Sequence, residues 1–156
     1  MNIKIANTKD ITKLKLKSKK LLNNNIGKNI YKQRYNKIFN YDQLCETLDK
    51  NQSIWVICTD KNVPIGFGEL WQNTSKNSEI GYMIFSEYQK QGYGIKLVEQ
   101  MFDDCINLFN LKNLKIETQN DNIGSTKIIE KISNIHKPSK SEKNDKNNTT
   151  IYSWEF

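Results

Sequence analysis

A chain of 156 residues can bury a core without disulfides or metals to staple it, and it suits one domain spanning residues 1–156. The hydrophobic fraction of 37% is modest because Asn and Lys are abundant, a drift of surface composition rather than the signature of a disordered chain. The net charge of +7 favours an anionic partner, but the densest basic run, LKLKSKK at 14–20, has no aromatic residue interleaved. It reads as the solvated face of a helix, so a nucleic-acid site is not expected.

NIKIA at 2–6 alternates as a short strand, and Thr8 or Asp10 is placed to cap the lysine-rich helix after it, with Ile11, Leu14, Leu21 and Leu22 on one face. Residues 23–40 carry no clear period, whereas Tyr41, Leu44, Cys45 and Leu48 recur at helical spacing. SIWVICT (53–59) and VPIGFGELW (63–71), joined by DKN, predict a β-hairpin, and SEIGYMIF (78–85) adds a third strand to an antiparallel meander. The polar link Ser86 to Gln91 then leads into Gly92-Tyr93-Gly94. After it Ile95, Val98, Met101, Phe102, Cys105 and Phe109 repeat as an amphipathic helix ending near Asn110.

LKIET (114–118) reads as a strand, and Asn122 to Lys131 as a helix with Ile128, Ile129 and Ile132 inward. A short strand near Asn134 to Lys137, a polar loop KSEKNDKNN and an alternating strand TIYSWEF (150–156) close the chain. The layout is mixed α/β (α+β), and the crossover helix between strands 78–85 and 114–118 makes those two parallel. Cys45, Cys58 and Cys105 are far apart in apolar runs and read as buried thiols of a reducing compartment. With no signal peptide and no apolar stretch approaching a membrane span, the expectation is a cytoplasmic protein without membrane contact.

Gly92 and Gly94, one residue apart at a helix start, raise two readings. Unpaired N–H groups at a helix N-terminus attract anions, and a glycine there lets a phosphate reach the backbone. The same glycines also permit a tight turn, and the pair alone does not decide between the two. Lys96 follows Gly94 only after Ile95, so the Gly-Lys-Ser/Thr of a Walker loop is missing. A dinucleotide fingerprint needs a third glycine where Leu97 stands, and the link Ser86 to Gln91 is too long for its strand-to-helix turn, although Glu117 is spaced to hold a ribose.

Gln89-Lys90-Gln91-Gly92-Tyr93-Gly94 resembles the Arg/Gln-x-x-Gly-x-Gly/Ala motif of the GNAT N-acetyltransferase superfamily. Glu79-Ile80-Gly81-Tyr82 is similar to the entry of that family's fourth strand. Asn122-Ile123-Gly124-Ser125 with Glu130-Lys131 resembles its late helix, in the ribosomal-protein alanine acetyltransferase style. The resemblance implies a mixed sheet of about six or seven strands flanked by helices and splayed between the fourth and fifth. It further implies acetyl-coenzyme A as co-substrate, with its pyrophosphate on Gln89, Lys90, Gln91, Gly92, Tyr93, Gly94 and Ile95. Met83, Ile84 and Phe85 would then hold the pantetheine, and Asn122 a pantetheine amide. Two departures stand out: Ser133 and Asn134 replace the Gly-Phe that commonly follows Glu-Lys, and Ile129 occupies the position of a common tyrosine acid.

Acyl transfer from a thioester to an amine needs an unprotonated nucleophile and a thiolate able to leave. Glu79 matches the family's base position, with Glu69 or a water relay as alternatives. Ser125 is placed to hydrogen-bond the sulfur and protonate the thiolate, though its hydroxyl equally suits a structural role. Asn122 suits a helix N-cap, and Tyr82 and Tyr93 are further phenols in the same region. Lone His136 lies outside the motifs, and no grouping has metal-ligand spacing, so no metal is expected. The expected activity is an N-acetyltransferase acting on a small-molecule or peptide amine. The alternative is an inactive coenzyme A-binding module serving as sensor or scaffold. Dimerisation is common in the family, and the TIYSWEF strand is a candidate for pairing with a second copy.

Overall fold

The computed structural model describes residues 1–5, 53–74 and 77–156. The two helices expected between residues 8 and 48, with the LKLKSKK run and Cys45, lie outside the described residues. The expected meander forms from β2 (Ser53–Asp60), β3 (Val63–Thr74) and β4 (Asn77–Ile84), and β1 (Asn2–Ile5) adds to it antiparallel along β2. Lys61 and Asn62 alone span the β2–β3 turn, both at positive φ (47° and 64°), which matches the right-handed twist of the strands they join.

A single 3₁₀ turn at Ser86–Tyr88 leads to α1 (Tyr93–Asp103), which widens into a π-helical turn at Asp104–Leu108. Then come β5 (Asn113–Gln119), α2 (Ile123–Ile135), β6 (Lys140–Asn144) and β7 (Thr149–Glu155). Among the described residues seven strands form one mixed sheet in the order β1-β2-β3-β4-β5-β7-β6. Of these strand pairs β4 and β5 alone are parallel, as the crossover through α1 requires.

Three expectations at the C-terminal end are corrected. No strand forms near Asn134 to Lys137, because α2 continues to Ile135. The polar KSEKNDKNN segment is not a loop throughout, since Lys140–Asn144 is a strand whose side chains are nearly all exposed. Such a strand has no apolar alternation to read; it exists because its backbone pairs with β7 across a turn that Asn148 closes at φ 53°. Finally, β7 lies between β5 and β6 with both edges paired, so it cannot extend the sheet into a second copy.

The core sits between the sheet and the two helices, which share one face. Leu97, Val98, Met101 and Phe102 of α1 are buried there with Leu114 and Ile116 of β5 and Ile129 and Ile132 of α2. Phe102 meets Trp154 edge-on at 4.9 Å and stacks on His136 at 5.4 Å. Trp154 Nε1 donates to the His136 carbonyl at 2.7 Å, so the lone histidine is accounted for by packing.

Candidate active site

The parallel pair is where the sheet opens. β4 is matched to β3 along nearly its whole length, through Ile84, yet to β5 by one register pair, Glu79 with Lys115. Beyond it the two strands part. Backbone groups of β4 that a parallel ladder would occupy then face the gap. A cleft of about 1190 Å³ fills this gap and runs along β4, β5 and the N-terminal turns of both helices.

Side-chain alternation divides the cleft wall. Glu79 and Tyr82 are three residues apart on β4 and so emerge on opposite faces of the sheet. Tyr82 is on the helix side, where its phenol oxygen lies 2.8 Å from Ser125 Oγ in a hydrogen bond. Burial pushes the Tyr82 phenol up to about 12, and the Ser125 hydrogen bond opposes that rise only in part. Glu79 is half-buried on the other face and lines the cleft. Glu69 shares that face but is only 4% exposed and lies outside the cleft, so Glu79 is the carboxylate with access.

The glycine loop has the shape its composition allows. Gly92 is the residue before α1, at φ 80°, and a methyl group built on it would meet nothing within 4 Å. Its backbone therefore faces open space at the positive end of a helix. Gly94 has a different reason: a Cβ there would come within 2.6 Å of Ile128 Cδ1, so its smallness lets α1 pack against α2. The Gln89 side chain turns back to donate to the Ile84 carbonyl at 2.9 Å and so ties the loop to the end of β4.

Of the residues expected to meet a cofactor, Met83, Ile84, Gln89, Lys90, Gly92, Tyr93, Gly94, Ile95, Asn122 and Ser125 line the cleft together. Phe85 and Gln91 do not. Phe85 is fully buried with its N–H donated to the Ile65 carbonyl, and Gln91 turns its amide toward the Glu87 carbonyl. Asn122 serves as the N-cap of α2, accepting from the Ser125 N–H at 3.1 Å. Sequence reasoning gave no binding role to Lys127, Lys131, Thr118 and Thr149, which also line the cleft. The two lysines are one helical turn apart on the face that carries Ile128, which is the signal that marks them. Among the described residues no group of His, Cys, Asp or Glu is placed to hold a metal, and no helix is long and apolar enough to cross a membrane.

The chain belongs to the GNAT acetyltransferase family: residues 23–133 match the family model described as an acetyltransferase (GNAT) domain. Solved structures share the fold. A mutant of spermidine N-acetyltransferase from Vibrio cholerae superposes with a TM-score of 0.71 at 15% identity, covering 99% of this chain and 95% of that one. An N-acetyltransferase from Staphylococcus aureus gives 0.70 at 15% identity, with 99% and 97% covered. A ribosomal-protein alanine acetyltransferase from Vibrio fischeri gives 0.68 at 18% identity, with 98% and 91% covered. No curated protein sequence matches the chain.

Proposed function

We propose that the chain, as one domain over residues 1–156, is a cytoplasmic N-acetyltransferase that moves an acetyl group from acetyl-coenzyme A to a primary amine by direct attack in a ternary complex. One observation carries the reading: the single register pair between β4 and β5 leaves a gap that ends at the open N-terminus of α1. The residues present fit such a co-substrate. Amides of Gly92 to Ile95, with Lys90, Lys127 and Lys131 around them, suit a pyrophosphate and a further phosphate. The backbone of Met83 and Ile84 suits an amide-bearing arm lying along β4 where no strand is paired.

Bound acetyl-coenzyme A supplies an acyl group activated as a thioester. The chain supplies the groups on either side of it. Glu79, across the sheet from the helices, takes the proton that the attacking amine must lose. Ser125, on the helix side, donates a hydrogen bond to the sulfur that leaves. The acceptor is a small-molecule or peptide amine that enters from the Glu79 face. The Asn122 to Ser125 and Glu130-Lys131 motifs resemble those of the ribosomal-protein alanine acetyltransferases, which makes a peptide N-terminus the first acceptor to try.

The test is calorimetric titration with acetyl-coenzyme A, followed by free-thiol release across a panel of amines. The expected result is saturable binding and turnover on at least one amine. Glu79→Gln should keep the affinity for acetyl-coenzyme A and lower kcat about a hundredfold. Tight binding with no turnover on any amine would make the chain a binding module instead.

A further inference from the structure

The Tyr82–Ser125 hydrogen bond joins residues 43 positions apart, one on β4 and one in the first turn of α2, inside the wall of the cleft. A phenylalanine at position 82 would fill the same space, so packing alone does not require the hydroxyl. Ser125 is held firmly. Its N–H is donated to Asn122 Oδ1 at 3.1 Å, and among the described residues its Oγ has no other hydrogen-bond partner than Tyr82.

The direction of that bond follows from chemistry. A phenol is a stronger acid than an aliphatic alcohol, so in a neutral pair the phenol donates and the serine oxygen accepts. Burial keeps the phenol protonated, so it has a proton to give. With one lone pair occupied by Tyr82 and its N–H fixed by the cap, Ser125 still has its own proton to donate, and the cleft is the space its side chain lines. A hydroxyl that already accepts a hydrogen bond is also a better donor, because the two bonds polarise each other.

We propose that Tyr82 is a positioning residue for acyl transfer, whose phenol donates to Ser125 Oγ and so aims the Ser125 proton at the sulfur of the departing thiol. The inference rests on the acetyltransferase reading above. In the step it serves, the amine lone pair forms the C–N bond, the C–S bond breaks, and its electron pair remains on sulfur. The amine loses one proton toward the Glu79 side. The thiolate, held by the Ser125 hydrogen bond, regains one from solvent. Tyr82 surrenders no proton at any point.

Two measurements test this. In steady-state kinetics Tyr82→Phe should lower kcat roughly tenfold with KM for acetyl-coenzyme A unchanged, and Ser125→Ala roughly a hundredfold. Adding Tyr82→Phe to Ser125→Ala should change nothing further, because the phenol acts only through the serine. The second readout needs no turnover: the pH at which the thiol of bound coenzyme A ionises, followed by thiolate absorbance, should be lower in the wild type than in either variant. Coincident titrations in all three proteins, or a Tyr82→Phe loss that persists undiminished beside Ser125→Ala, would overturn the proposal. Ser125→Ala leaves Tyr82 in place, so the titration comparison holds even where Tyr82→Phe folds poorly. A wild-type chain that binds no coenzyme A fails the acetyltransferase reading itself, whereas turnover indifferent to Tyr82 fails this inference alone.

Discussion

Gly92 combines two demands in one position. Its φ of 80° disfavours any side chain, by roughly 1–2 kcal/mol for an L-residue, and the space beyond its missing Cβ is open. Gly92→Asn, a residue that tolerates the left-handed region better than a β-branched one, therefore carries a modest conformational cost but places its side chain in the mouth of the cleft. The expected result is loss of most acetyl-coenzyme A affinity by calorimetry, with an unfolding midpoint only slightly lowered. Unchanged affinity would remove the loop from the binding site. Glu79 and Ser125 stand in sequence motifs at set distances from this loop, and both line the cleft. The partner of Ser125 is not legible in sequence: Tyr82 shares no local pattern with it, and only the packing of α2 against the opened sheet brings the two hydroxyls to 2.8 Å.

Elements were legible where burial imposed a period. α1 and α2 announce themselves through residues such as Leu97, Met101 and Phe102 or Ile129 and Ile132, which recur as the helix turns. β6 announces nothing, because an exposed strand beside β7 is under no demand for apolar alternation. The helix–helix contact is likewise hidden, since Gly94 looks like half of a phosphate motif yet is small for the sake of Ile128. Gly94→Ala must displace the Ile128 Cδ1 methyl, and the gain in helix propensity within α1 offsets part of that overpacking, so the net cost in denaturant unfolding should be about 1 kcal/mol or less. Ile128→Val shortens the side chain at the clash, so the double variant should recover much of that loss. An additive double variant would show that the strain lies elsewhere.

At the scale of the molecule, burial of titratable groups sets an alkaline limit. Desolvation pushes the Cys58 thiol up to about 11, and the Cys105 thiol and Tyr82 phenol up to about 12. These values lie above the ordinary 9.0 of a thiol and 10.0 of a phenol, so as pH rises the unfolded chain releases these protons first. Stability from these groups is complete below pH 9.0 and falls as pH climbs through 11 and 12. Under reducing conditions the unfolding midpoint should hold steady from neutrality to pH 9.0 and then decline. Tyr82→Phe should flatten the part of that decline above pH 10.0, and a curve identical to the wild type would contradict the burial of the phenol. The same burial keeps Cys58 and Cys105, both free thiols, out of nucleophilic chemistry.

The amino-acid sequence by itself determined the meander, the crossover that makes β4 and β5 parallel, the two helices after it and the glycine-opened helix start. Each depends on local spacing and turn chemistry, which a linear chain displays directly. Tertiary structure alone decided where β4 and β5 part, which carboxylate reaches the gap, why Gly94 is small and which hydroxyl meets Ser125. These are outcomes of strand register and of helices settling on one face of a sheet, and they arise between residues that no short-range pattern connects.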